Sequence, residues 1–287
     1  MLKGYNFKNT MVYKAILFSY FKYHRFLYYI KYNIPFFDTN VEEKKVVNYE
    51  KIFNNVRSVS IIGKGASIFN SNPRNIIEKT DFKIIMNSVD VEYLENYLGN
   101  KFDLQITTHI AKVNSIIPVL NSRLIKKYGI KFLMCNNSLN HNNGITFKDY
   151  WNYFNNRVDY ISYVPDFTSL EYSPDLNKYG PRLTMASSVI LMLYNIKTIN
   201  KIVFVGVDAF HYGYSYRPNI KETDRHFYPI NEGGYNDPKS SHGIPFLNFL
   251  FATIEEVNKN RDLDLYFPEI LIKHINFPNK NYIKFYK

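Results

Sequence analysis

Histidine and tyrosine crowd one stretch of this chain in a way that could move a proton and steady a departing anion. Between Asp208 and His242 lie His211, Tyr212, Tyr214, Tyr216, His226 and Tyr228, and the stretch closes on Ser241-His242-Gly243. Imidazole is the side chain whose ordinary pKa allows proton transfer near neutrality, and a phenol can donate a hydrogen bond to a leaving phosphate. The histidine spacings match no standard zinc pattern, so acid–base chemistry is expected rather than metal chemistry. Each histidine taken alone fits a surface or structural role, and only together with the tyrosines do they point to chemistry.

Three further groups precede this stretch. Ile61-Ile62-Gly63-Lys64-Gly65-Ala66-Ser67 ends a strand-like run, where glycines would let backbone N–H groups approach a phosphate or sugar. It lacks the third glycine of a dinucleotide fingerprint and the Gly-Lys-Ser/Thr ending of a P-loop, and a tight turn explains it equally well. Asp81-Phe82-Lys83-Ile84-Ile85-Met86-Asn87 ends in an amide that could meet a polar ligand or cap the next helix. Arg182-Leu183-Thr184-Met185-Ala186 leads into an apolar helix whose first amides and dipole suit a phosphate, with ordinary capping by Thr184 as the alternative.

The elements that must position these groups alternate from Ser58 onward. Strands are predicted at Val59–Ile62, Phe82–Met86, Leu104–Thr107, Lys131–Met134, Lys201–Val205 and near Leu263–Phe267. Helices are predicted at Arg74–Lys79, Val91–Leu98, Lys112–Lys127, Ala186–Tyr194 and Pro245–Lys259. Short apolar strands alternating with helices give an α/β, Rossmann-like fold with a mostly parallel sheet covered on both faces. The aperiodic stretch of about 208–242 would then be a lid embedded in a domain spanning 58–287, since long irregular segments inside compact domains are usually functional.

In this order the groups resemble bacterial CMP-sialic acid sialyltransferases, glycosyltransferase family 42, over about Ser58 to Phe267. Gly63-Lys64-Gly65-Ala66-Ser67 stands where the family has Gly-Asn-Gly-Pro-Ser, and Asn87 falls on its nucleotide-contacting Asn. Leu133-Met134-Cys135-Asn136-Asn137 is similar to its hydrophobic-Met-Cys-Ser-Asn strand end, Arg182-Leu183-Thr184-Met185-Ala186 to its Arg-Ile-Thr-Ser-Gly turn, and Gly206-Val207-Asp208 to its Gly-Ile-Asp. The two lid tyrosines of the family fall on Phe210 and Tyr216, and its catalytic histidine on His242. Animal family 29 sialyltransferases share the motif order, with Arg225-His226-Phe227-Tyr228 resembling their His-Tyr pair.

The resemblance implies a sialyltransferase variant of the GT-A-like fold. It also implies an inverting transfer from a CMP-sugar donor to a glycan or glycolipid hydroxyl, with His242 as base and His226 in reserve. Gly63, Lys64, Gly65, Ser67, Asn87, Asn136, Thr184, Met185, Ala186, Asp208 and Phe210 would form the donor site. Tyr216, Lys64 and the Thr184 helix start would stabilise the leaving phosphate without a metal or other cofactor. The chain departs from the family at Lys64, Met185, Ala186 and Phe210. Lys64 could restore by charge the contact of the Asn it replaces, and Tyr212 or Tyr214 could supply the absent phenol.

Charge sorts the partners only coarsely. With 36 Lys plus Arg against 25 Asp plus Glu, the net charge of +11 favours phosphate-bearing partners in general. Up to Phe37 six basic residues and no acid are interleaved with Tyr and Phe, so residues 1–57 read as a basic aromatic extension. Lys14, Lys22 and Arg25 fall within roughly 80° of one another on a helical wheel. That suits docking on an anionic membrane surface, or equally packing on the core or in a homo-oligomer. No run approaches the roughly 20 apolar residues of a membrane span, and no signal cleavage site is seen. With Cys135 the lone cysteine, a cytoplasmic protein peripheral to the inner membrane face is expected, with no nucleic-acid partner. The alternatives are a CMP-Kdo or other CMP-sugar transferase, an ATP-dependent pyrophosphokinase-like enzyme, and a non-catalytic membrane-surface or nucleic-acid-binding module.

Overall fold

The structure is a computed structural model that describes residues 47–86, 89, 91–107, 122–136, 158–164, 185–208, 250–251, 254–255, 258–259, 261–273 and 275–287. Eight strands form one sheet: β1 (Ser58–Ile62), β2 (Phe82–Met86), β3 (Leu104–Thr107), β4 (Phe132–Asn136), β5 (Tyr160–Val164), β6 (Lys201–Val205), β7 (Asp264–Pro268) and β8 (Ile283–Tyr286). Their spatial order is β5-β4-β3-β2-β1-β6-β7-β8, and every pairing is parallel. The mostly parallel sheet expected from the sequence is thus wholly parallel among the described strands.

Alternation along each strand divides the interior into two cores. Val59, Ile61, Phe82, Ile84, Ile202 and Phe204 face one side and meet α1 (Tyr49–Ile52) and α5 (Met185–Tyr194) through Ile52, Val189, Ile190 and Leu193. Ile62, Ile85, Val203 and Val205 face the other and meet α2 (Arg74–Glu78), α3 (Glu95–Leu98) and α4 (Ser122–Lys127) through Ile77, Leu98 and Ile125. This is the Rossmann-like three-layer arrangement. Ile52, Phe53 and Val56, which the sequence pattern leaves in the extension, are packed in the first core.

Two carboxylates fix where strands begin. Asp81 Oδ2 accepts the N–H groups of Arg57 at 3.0 Å and Ser58 at 2.9 Å, and Asp103 Oδ2 accepts that of Lys83 at 2.8 Å. The Arg261 guanidinium closes the far end of α5 by donating to the carbonyls of Ile196 and Tyr194 at 2.6 and 2.8 Å. A cation there also complements the negative end of the helix dipole.

Strand order decides where a ligand can sit. From β1 the chain builds outward through β2 to β5, then crosses back to lay β6 on the other side of β1. This reversal of strand order lies between β1 and β6, and in parallel α/β sheets ligands bind beyond the carboxyl ends of the strands at such a point.

Candidate functional site

Leaving β1, Gly63 continues its pairing with β6 for one more residue, its N–H donating to the Val205 carbonyl at 2.7 Å. Gly65 repeats this with Gly206 at 2.7 Å, after which a short 3₁₀ helix begins at Ala66 and runs to Phe69. Gly206 holds φ +60°, the left-handed conformation that admits glycine readily. The two turns interlock so closely that a Cβ on Gly63 would lie 2.5 Å from the Gly206 oxygen. One on Gly65 would lie 2.3 Å from Asp208 Oδ2. These glycines are thus required by the approach of β1 to β6.

Asp208 fastens the interlock. Its Oδ2 accepts the Ser67 N–H at 2.8 Å, and its Oδ1 accepts the Ser67 hydroxyl. Both residues are buried. Removal from water pushes the carboxyl up to about 6, and the two donors of Ser67 oppose that rise without cancelling it. Lys64, half-buried between the glycines, is lowered by burial to about 8.

No protein-family model and no curated protein sequence matches the chain. Solved sialyltransferases are similar to it in structure. One is the monofunctional alpha-2,3-sialyltransferase Cst-I from Campylobacter jejuni, 16% identical, covering 84% of this chain and 90% of its own, with a TM-score of 0.48. A mammalian sialyltransferase is 12% identical and covers 86% of this chain and 78% of its own, with a TM-score of 0.42. The sialyltransferase CST-II, solved with a trisaccharide acceptor and CMP, is 17% identical and covers 80% and 93%, with a TM-score of 0.42.

Of the residues singled out in the sequence, the fold brings Gly63, Lys64, Gly65, Ser67 and Asp208 together beyond the carboxyl ends of β1 and β6. Asn136 ends β4, three strands from β1 on the same edge of the sheet, a separation of about 14 Å at the usual strand spacing. Met185 and Ala186 open α5. Asn87, Thr184, Phe210, Tyr216, His226 and His242 lie outside the described residues, as do most of the lid and residues 1–46.

The arrangement refines what the turn can do. The N–H groups of Gly63, Gly65 and Ser67 are all engaged within the protein, and so is the Asp208 carboxylate. Asp208 and Ser67 brace the turn against the end of β6. Sequence reasoning missed the second tier of this brace. Ser71 donates its hydroxyl to the Ser67 carbonyl at 2.8 Å, and Tyr286 donates to the Phe204 carbonyl at 2.8 Å. Neither carries a local signal, because one closes a turn and the other arrives from the last strand.

Proposed function

We propose that this chain is an inverting glycosyltransferase that moves sialic acid from a CMP-activated donor to a hydroxyl of a glycan or glycolipid. The observation that supports this reading is Lys64 held between the two glycines of the turn at the switch point of a parallel sheet. The other groups follow in the chain in the order of the families that the sequence resembles.

In the reaction the acceptor oxygen forms a bond to the anomeric carbon as the bond from that carbon to the phosphate oxygen breaks. CMP leaves with the electron pair, and the acceptor proton passes to His242. A positioned base contributes roughly 10²–10⁴-fold. Lys64 matches the charge gathering on the leaving phosphate from one side and Tyr216 from the lid, so no divalent ion is required. The extension up to Phe37, with six basic residues and no acid, would hold the enzyme on the inner face of a membrane that bears its acceptor.

The test incubates the full chain with CMP-sialic acid and a galactose-terminated acceptor, with and without excess EDTA, and follows CMP release. Transfer that survives EDTA and falls at least about a hundredfold in His242→Ala, with CMP affinity kept, is the expected result. Stabilisation by ATP with magnesium but not by CMP would overturn it in favour of a pyrophosphokinase-like enzyme.

A further inference from the structure

We propose that Tyr286, on the last strand of the sheet, is a positioning residue for the donor turn, its hydroxyl holding β8 to the end of β6, the strand to which Gly63 and Gly65 of the turn are themselves bonded. The inference rests on reading that turn as the donor site.

The clamp begins with a gap in the sheet. β6 stays paired with β1 as far as Val205, but its pairing with β7 stops at Val203. Carbonyls alternate in direction along a strand. The Val205 carbonyl points to the β1 side, where it takes the Gly63 N–H, so the Phe204 carbonyl points to the β7 side, past the last pairing there. The Tyr286 hydroxyl fills this place at 2.8 Å.

The same phenol lies against the Ser71 hydroxyl, and the two residues line one cavity of about 460 Å³ at the carboxyl edge of the sheet. Ser71 in turn donates to the Ser67 carbonyl through both its hydroxyl at 2.8 Å and its N–H at 3.0 Å. Ser67 is the residue that Asp208 grips. Buried polar groups therefore lie side by side from the outermost strand to the turn, with Tyr286 8%, Ser71 3%, Ser67 0% and Asp208 3% exposed. Burial and the nearby Asp208 carboxylate both push the phenol pKa up, so Tyr286 remains a donor at any working pH.

Tyr286→Phe keeps the ring in the core and removes only the clamp, and Ser71→Ala breaks the same chain from the other end. Three measurements on the full-length protein decide the matter: CMP affinity, KM and kcat for transfer, and amide hydrogen exchange across 63–71. Each variant is expected to weaken CMP binding and raise the donor KM about tenfold, the scale of one buried hydrogen bond, with kcat within about twofold of wild type. Exchange across 63–71 should quicken by more than the fall in unfolding midpoint accounts for, and the double variant should be no worse than the single ones. Unchanged exchange and KM, or a loss confined to kcat, would overturn the proposal. If the wild-type chain binds no CMP but Tyr286→Phe still quickens exchange across 63–71, the clamp stands and the donor reading falls.

Discussion

Replacing Gly65 by alanine tests the interlock of β1 with β6 more sharply than any catalytic variant. The added Cβ would sit 2.3 Å from Asp208 Oδ2 and 2.7 Å from the Gly206 oxygen, where ordinary contact begins near 3.4 Å. The carboxylate must retreat by about 1 Å, which carries its 2.8 Å bond to the Ser67 N–H beyond hydrogen-bonding range. Losing bonds to a buried carboxylate costs about 1.5–3 kcal/mol each, and the overpacking costs about 1–3 kcal/mol more. The expected destabilisation is about 3–6 kcal/mol, a large part of the 5–15 kcal/mol that holds a typical domain together.

Gly129 supplies the control, because it holds φ +68° with nothing within 4 Å of an added Cβ. Gly129→Ala meets only backbone strain, about 1–2 kcal/mol. Urea unfolding followed by far-ultraviolet circular dichroism should separate the two variants by at least about 1 kcal/mol, and CMP affinity should fall only in Gly65→Ala. If the two unfold at the same urea concentration, the contact between Gly65 and Asp208 does not constrain the turn.

Other consequences follow from the charges. Asp208 has its folded pKa raised from 3.8 to about 6, so the stability it confers is complete below pH 4 and is lost as pH rises through 6. That span is worth up to about 3 kcal/mol; Asp208→Asn should flatten the fall in urea midpoint measured between pH 4 and 7. Lys64, lowered to about 8, disfavours folding while charged, so its contribution to stability should rise with pH from 8 to about 10.5. CMP affinity should follow the opposite course, weakening above pH 8 in the wild-type chain and varying little in Lys64→Gln, as titration calorimetry would record. Deleting residues 1–37 should release the protein from anionic vesicles at low salt while sparing transfer to a soluble acceptor. Persistent co-sedimentation would place the membrane contact elsewhere.

The central strands were legible in the sequence because they are buried on both faces. Phe82–Met86, Leu104–Thr107 and Lys201–Val205 are found at the bounds their apolar runs predict. β5 and β8 were not, and both are edge strands. Tyr-Ile-Ser-Tyr-Val in β5 and Ile-Lys-Phe-Tyr in β8 mix polar and aromatic residues because one side meets solvent, with Tyr160 41% and Phe285 38% exposed. Among helices, α5 begins one residue before its predicted start, whereas Val91–Leu98 is helical only over Glu95–Leu98. Val91, Leu94 and Leu98 are nonetheless buried, so the apolar spacing reported burial correctly while overstating regular helix.

At the site, sequence reasoning found the glycine turn but gave it a reason that the fold revises. Glycines beyond a strand suggested amides open to a phosphate, yet three of the turn's N–H groups are engaged within the protein. Their partners are the Val205 and Gly206 carbonyls and the Asp208 carboxylate, the last 141 residues from Ser67, and no local pattern can report contacts set by strand order. This gives the departure at Lys64 a physical sense. Under the proposed function, with the amides of Gly63, Gly65 and Ser67 engaged within the protein, a donor phosphate would be met at this turn by a side chain, which is the role proposed for Lys64.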